Sequence, residues 1–400
     1  MRRAAIVCPR RTAVGAFGGQ LRPVPVEKLG AILVKTILDE TGVDPGKVDD
    51  VIIAQSYANS ETPCVGRWIA LEAGLPVTVP GMQVDRRCGG GLQAIINACM
   101  MVQCGAANVV LAGGVESMSN IEYYSTSMRW GARAGTVGFF DRLDRGRERS
   151  QPEWRFGRIS GMIETAEKLA RIYGISREEA DTFALRSHRR ASAAWASGAF
   201  DTEVVPVPVT DRKGNVTHVA RDEGVRHDAS AEAMARLRPI MADGTVTAGN
   251  AAQQNDAAAL CLVVAEEYLE DMNLRPQAFL KDWSVAGCEP DIMGIGPVPA
   301  VGKLLGRNGL TMDDFDLVEI NEAFACQLLS VLKELDWWQE EKLNVNGSGI
   351  SLGHPVGATG ARIAVSMLHE LDRRRGRLAL ETMCIGGGQG LAAIFERPTT

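Results

Sequence analysis

The stretch Gly42-Val43-Asp44-Pro45-Gly46-Lys47-Val48-Asp49-Asp50-Val51-Ile52-Ile53 returns far downstream as Gly309-Leu310-Thr311-Met312-Asp313-Asp314-Phe315-Asp316-Leu317-Val318-Glu319-Ile320, without a gap. Each copy reads as a glycine that closes a helix, a short turn, and an aspartate leading into a buried strand. A second echo follows each copy. Cys88 opens a glycine-rich turn into a helical run from Leu92 to Gln103 and a strand from Asn108 to Ala112. His354 opens a similar turn into a helical run from Ala361 to Leu371 and a strand from Arg377 to Met383. Chance accounts for one such echo, because α/β chains reuse this idiom. Two echoes in the same order point to an internal duplication. Cys88 and His354 would then occupy equivalent turns of two similar halves and meet across a pseudo-twofold axis.

The block between the halves is of another kind. Residues 118–247 are rich in arginine, carry Trp130, Trp154 and Trp195, and contain one helix pair, Thr165–Tyr173 and Arg177–Ser197. Ser176 is placed to cap the second helix, with Glu179 completing a capping box. Arg142–Arg158 has many arginines and few aliphatics and reads as a surface loop. The expected organisation is a first half (1–117 with 248–272), an inserted loop domain covering the active site (118–247), and a second half (273–400).

The chemistry gathers at the glycine turns. Cys88-Gly89-Gly90-Gly91 and Cys384-Ile385-Gly386-Gly387-Gly388 each set a thiol beside a glycine run, and Gly353-His354-Pro355-Val356-Gly357 does the same for an imidazole. Glycine admits a substrate close to the backbone and frees N–H groups for a developing oxyanion. Cys88 follows an apolar strand, Val77–Val84, and starts a helix. The helix dipole would lower its pKa towards the thiolate, and Arg86 and Arg87 would add to that. His354, near its ordinary pKa, would accept the thiol proton. Cys384 ends the strand Leu378–Met383 before the strand Leu391–Phe395, and as a second thiol would act as acid or base. Asn321, in Asn321-Glu322-Ala323-Phe324-Ala325 after the strand Asp316–Ile320, would hold a water as an oxyanion donor. Two reactive sulfurs and one imidazole suggest acyl transfer through a thioester. Inert burial is the reading for Cys8, Cys99, Cys104, Cys261, Cys288 and Cys326, and a structural or surface place for His188, His218, His227 and His369. A redox disulfide between Cys88 and Cys384 is the lesser alternative.

Bulk properties narrow the classes. The 400 residues are 46% hydrophobic and 23% charged, with a net charge of −6, which argues against a nucleic-acid binder. No apolar stretch reaches the length of a membrane span, and the N-terminal apolar run is too short for a secretory signal. Nine cysteines without a Cys-x-x-Cys pair suit free thiols in a reducing, cytoplasmic setting.

Taken together, the Cys88 turn, Asn321-Glu322-Ala323-Phe324, Gly353-His354-Pro355-Val356-Gly357-Ala358-Thr359-Gly360 and Cys384-Ile385-Gly386-Gly387-Gly388 resemble the four motifs of the thiolase family, in order. The resemblance extends over nearly the whole chain, including Arg10-Arg11-Thr12, Gly113-Gly114-Val115-Glu116-Ser117-Met118-Ser119 and Thr247-Ala248-Gly249-Asn250, and is nearest to short-chain acetyl-CoA acetyltransferases and β-ketothiolases of bacteria. It implies a five-layer α-β-α-β-α fold of two duplicated halves and a ping-pong reaction on acyl-CoA and CoA. Cys88 would carry the acyl group, His354 would activate it, and Cys384 would move the substrate's proton. Asn321 (through a water) and His354 would hold the enolate oxygen, and the N–H groups of Cys88 and Gly386 a second oxyanion. Arg226, Met162, Ala252 and Phe324 would bind CoA. The resemblance also implies no metal or other cofactor, and a homo-oligomer, a dimer or a dimer of dimers, of the tetrameric kind.

Four places depart from the family pattern. Gly90 stands where serine is usual, Asn250-Ala251-Ala252-Gln253 replaces Asn-Ala-Ser-Gly, Gly161-Met162-Ile163 replaces His-Met-Gly, and Arg142–Arg158 is longer than expected. Two other readings follow from them or from the fold: a CoA- or lipid-binding module with weakened catalysis, and a ketosynthase-like condensing enzyme. A cysteine hydrolase would leave Cys384 without a role.

Overall fold

The computed structural model describes residues 2–159 and 161–398; Met1, Ser160, Thr399 and Thr400 lie outside it. Nine strands form the main path of one mixed sheet: β1 (Ala4–Thr12), β2 (Asp50–Ala54), β3 (Met82–Val84), β4 (Val109–Ser117), β5 (Asn255–Ala265), β6 (Ala278–Gly287), β7 (Leu317–Ile320), β8 (Leu378–Ile385) and β9 (Gln389–Glu396). Their order is β7-β8-β9-β6-β1-β5-β4-β2-β3. In the first half β2 runs parallel to β4, which is antiparallel to β5. In the second half β7 runs parallel to β8, which is antiparallel to β9. The topology repeats as the two echoes predict. The halves join where Ala5 and Ile6 of β1 face Phe279 and Ala278 of β6.

The strands are almost continuously apolar because both faces are covered. On β2, Ile52 and Ala54 face the central layer, whereas Val51 and Ile53 face the outer helices α1 (Val26–Thr41) and α2 (Val65–Glu72). The central layer is α3 (Gly90–Gln103) with its second-half partner (Thr359–Arg373). Ile95, Ile96 and Cys99 pack there among Ala364, Val365 and Leu368. Outside the second half, Val301 and Leu304 of the helix Pro297–Asn308 and Leu328 and Val331 of the helix Ala325–Leu335 cover Val318, Leu380 and Ile394. These are the five expected layers.

Glycine allows the central helices to start against each other. A Cβ on Gly91 would lie 2.6 Å from the Ala361 nitrogen, and one on Gly360 would lie 2.5 Å from the Leu92 nitrogen. Each helix is entered by a short 3-10 turn, Arg87–Gly89 in one half and Val356–Ala358 in the other. The turns are equivalent, but Cys88 lies inside its turn and His354 lies ahead of its own.

Three expectations need correction. The strand before Cys88 is only Met82–Val84, because Pro76 and Pro80 interrupt the run and the Val79 N–H turns back to the Pro76 carbonyl. The strand after α3 continues past Ala112 to Ser117. Arg142–Arg158 is not a plain loop: it forms helix α4 (Arg142–Glu148), capped by Asp141, and a single turn at Glu153–Phe156. The helix pair is present as α5 (Met162–Tyr173) and α6 (Arg177–Ala196), with the Ser176–Glu179 capping box formed. Arg11, fully buried, ties the first half to this block through Glu203 at 2.6 Å and Asp222 at 2.8 Å. Removing Arg11 would leave two buried carboxylates without their guanidinium.

Candidate active site

A cavity of about 100 Å³ brings Cys88, His354, Cys384 and Gly386 onto one wall system, with Met162, Ala252 and Phe324 beside them. Asn321 and Arg226 lie outside that lining. A larger groove of about 980 Å³ runs between α6 and the helix Ala325–Leu335, but it holds none of the predicted reactive groups.

Cys88 sits in the 3-10 turn before α3, half-buried, with the N–H of Gly386 and its own N–H aimed at the sulfur. Burial pushes its thiol up from the ordinary value, and this outweighs the lowering by the Gly386 N–H and the Arg87 guanidinium. The expected low pKa is therefore not found: desolvation wins over the helix start, and the resting group is a thiol.

His354 is held at two points. Its N–H donates to Asn255 Oδ1 at 2.8 Å, and its Nδ1 lies 2.6 Å from Thr359 Oγ1. The Thr359 hydroxyl donates to the Pro355 carbonyl at 3.0 Å. Its oxygen is thus left to accept, so Nδ1 carries the proton and Nε2 keeps its lone pair. Burial first, then Arg362 and Arg147, push the imidazole down to about 3. The expectation of an ordinary histidine pKa is corrected: the ring is a neutral acceptor through the physiological range.

The turn behind His354 is fixed by a residue that the sequence motifs contained but gave no role. The buried Glu116 carboxylate accepts from the N–H groups of Gly357 (2.8 Å), Ser56 (3.1 Å) and Tyr57 (3.3 Å), and burial pushes it up to about 7 against those bonds. Neighbouring Gly114 is equally constrained, since a Cβ there would lie 2.1 Å from the Gly357 carbonyl oxygen. The Gly113–Ser119 motif thus positions the histidine turn. Only the glycine pair beside a buried acid signalled this in the sequence.

Cys384, at the end of β8, is buried in an apolar cluster with Met293, Phe324 and Cys326. Burial, with Cys88 and Cys288 nearby, pushes its thiol well up. Asn321 follows β7, its N–H bonded to the Thr382 carbonyl, while its side-chain oxygen and nitrogen are buried without a partner among the described residues. Such a pair needs water or substrate. Ala252 is held by its N–H to the Ala323 carbonyl at 2.9 Å, and Ala251 bridges Phe324, so the two predicted binding segments are neighbours. Arg226 is exposed; its backbone N–H donates to His188 Nδ1 and its carbonyl accepts from the Ala229 N–H, while its side chain has no hydrogen bond among the described residues. The other histidines are structural or peripheral, with His369 bonded to the Pro9 carbonyl and His227 to Ser192.

Among the described residues no cluster of His, Cys, Asp and Glu could hold a metal ion, and no helix is long and apolar enough to cross a membrane. All nine cysteines are free.

Comparison with known proteins agrees with this geometry. Residues 4–267 match the family model "Thiolase, N-terminal domain" and residues 274–397 match "Thiolase, C-terminal domain". An acetyl-CoA acetyltransferase of Chromobacterium violaceum is 45% identical over 396 residues, 98% of this chain and 99% of the relative. The β-ketothiolase BktB of Cupriavidus necator is 46% identical over 399 residues, 99% of each chain. The crystal structure of the Bacillus anthracis acetyl-CoA acetyltransferase superimposes with a TM-score of 0.95 at 42% identity, covering 100% of this chain and 99% of that one. Human mitochondrial 3-ketoacyl-CoA thiolase gives 0.93 at 39% identity, covering 99% of each. The chain belongs to the thiolase family of acyltransferases.

Proposed function

We propose that this thiolase cleaves short-chain 3-ketoacyl-CoA with CoA, and runs the reverse Claisen condensation, through an acyl group carried on Cys88. The observation that carries the reading is the meeting of Cys88, His354, Cys384 and the Gly386 N–H in one small cavity.

His354 Nε2 takes the Cys88 proton as the sulfur attacks the 3-keto carbon. A neutral imidazole beside a neutral thiol suits transfer at the moment of attack. The N–H groups of Gly386 and Cys88, already aimed at the sulfur, are suited to receive the oxyanion. The C2–C3 bond then breaks, its electron pair enters the acetyl-CoA enolate, and the Cys384 thiol protonates that carbon. Cys384, now a thiolate, takes the proton of the incoming CoA thiol. CoA attacks the Cys88 thioester, acyl-CoA leaves, and the proton on His354 returns to Cys88. The high pKa of Cys384 fits a group that must hold its proton until a carbanion appears. Asn321, with both amide atoms free, would hold a water on the enolate oxygen. Met162, Ala252 and Phe324 would flank the pantetheine arm, and Arg226 would serve the outer part of CoA. Thr359 acts as a positioning residue by fixing the His354 tautomer.

The departures from the family pattern do not remove these groups. Gly90 faces Ala54, where a Cβ would come to 3.0 Å. Gly161 leaves the start of α5 open beside Met162. No residue beyond the protein and its CoA substrates enters the scheme. We further propose a homo-oligomer, a dimer or dimer of dimers. Trp68, Leu71 and Val77 are exposed near the edge strand β3, and Trp130, Phe139 and Trp154 are exposed on the inserted block. A cytoplasmic setting suits nine free thiols, and fatty-acid metabolism suits the substrate class.

Thiolysis across a chain-length series of 3-ketoacyl-CoA substrates, with intact-mass detection of the acyl-enzyme, tests the reading. Turnover should be greatest with short acyl groups, with one acyl group retained on the protein before CoA is added. CoA binding without an adduct would instead favour the catalytically weakened module, and decarboxylation of a malonyl thioester the ketosynthase-like enzyme.

A further inference from the structure

Arginines of the inserted segment sort into two kinds. Arg142 pairs with Glu122 at 3.1 Å, Arg158 with Glu148 at 3.0 Å, Arg145 stacks 3.6 Å over the Phe140 ring, and Arg155 lies over Phe156. Arg147 differs. It lines the same cavity as Cys88 and His354, and its one ionic contact among the described residues is the exposed Asp144 at 3.6 Å. Arg87, next to the nucleophile, lines the same cavity and has no ion-pair partner among the described residues. Asp85 takes its backbone N–H, at 2.7 Å. Arg87 also has φ +47°, a conformation that a non-glycine residue adopts at a cost.

These side chains converge. A Cβ on Gly146 would lie 3.4 Å from Tyr57 Cε1 and 3.9 Å from Arg87 Nη1, so ring and guanidinium both flank the helix that carries Arg147. Burial pushes the Tyr57 hydroxyl up to about 12, and Arg147 and Arg87 lie near enough to oppose this while Glu116 and Cys88 add to it. Two arginines and a phenol therefore line a cavity whose own lining includes no carboxylate, the Asp144 partner of Arg147 being exposed outside it. An arginine fork matches a carboxylate in geometry as well as charge. CoA's phosphates are not the natural occupant, because the long pantetheine arm keeps them well away from the thioester.

We propose that Arg87, Arg147 and Tyr57 form a cradle for a carboxylate at the far end of the acyl group, so that the preferred substrates are 3-oxoacyl-CoA thioesters with a terminal carboxylate. This rests on the thiolase reading above and narrows its substrate class. Reaction classes that make or consume dicarboxylic monothioesters of CoA would supply or use such a substrate.

Two measurements separate the cradle from the chemistry. In thiolysis, kcat/KM for 3-oxoadipyl-CoA should exceed that for methyl-ended 3-oxohexanoyl-CoA by about 10- to 100-fold, the range of a charge-assisted hydrogen bond. In Arg87→Met and Arg147→Met the ratio should fall towards one; as a ratio within one protein, it is insensitive to the fraction folded. A wild-type ratio at or below one overturns the proposal, even if acetoacetyl-CoA is cleaved well. In calorimetry, Cys88→Ala protein should bind succinyl-CoA more tightly than butyryl-CoA by a similar factor, and Arg147→Met should remove that preference. Binding preference without thiolysis would keep the cradle and defeat the thiolase reading. Equal binding, or equal weakening of both ligands by Arg147→Met, would show that the arginines serve CoA and would overturn the cradle.

Discussion

The turn before α3 and the turn before its counterpart in the second half have one backbone design and opposite chemistry. Both are 3-10 turns that lead into central helices, and their glycines let the helices touch. In the first half the functional group lies inside the turn, under its own N–H and that of Gly386. In the second half it lies ahead of the turn, held by Asn255, Thr359 and, through Gly357, by Glu116. A sulfur that, in the proposed scheme, attacks a carbonyl and later leaves it needs close N–H donors and little else. An imidazole that must accept a proton from one direction needs its other nitrogen fixed. Duplication supplied two equivalent platforms, and each was finished for a different task.

The largest test of that division is Cys88→Ala, which should lower thiolysis by ~10⁴-fold or more, since the covalent path is lost. Acetoacetyl-CoA consumption measures it, and normal turnover would end the assignment. His354→Gln should cost about 10³-fold while leaving acyl-CoA binding near wild type, read by calorimetry. A matching loss of binding would mean that the histidine turn is structural.

A subtler test concerns the tautomer. Thr359→Val should lower kcat by roughly 10- to 100-fold, the usual scale for a residue that orients a reactive histidine, with little change in KM. Thr359→Ser, which keeps the hydroxyl, should restore most of it, whereas equal loss in both variants would point to packing.

The pH dependence of Cys88 alkylation by iodoacetamide sharpens the electrostatics. With the thiol raised and His354 near 3, inactivation should climb steadily through alkaline pH. Fast inactivation already established well below the ordinary histidine value of about 6.5 would mean that the two groups rest as a thiolate–imidazolium pair. The smallest effect expected is Gly90→Ser: the 3.0 Å approach to Ala54 should cost about 1 kcal/mol, seen as a slightly lower Tm with catalysis retained.

Much of this was legible in one dimension because it depends on local chemistry. Glycine that closes a helix, aspartate before an apolar strand and a serine capping box act within a few residues, so the duplicated elements and the α5–α6 pair could be read directly. The thiols and the imidazole of the cavity stood out because their glycine surroundings are unusual. One error was local and the other arose where distant groups decide the outcome. Pro76 and Pro80 shortened a strand that its valines favoured. The arginines of 142–158 hid a helix whose inner face meets the catalytic cavity.

The sequence by itself determined the two-half architecture and the family, and it singled out the two thiols and the imidazole that share the cavity, because strand and helix periodicity and glycine-rich turns are properties of short segments. Only the tertiary structure decided the protonation of those groups, the role of Glu116 and Thr359, and the direction in which Arg87 and Arg147 point. Those depend on burial and on partners brought together from far along the chain, and desolvation of Cys88 and His354 outweighs every local influence that the sequence displays.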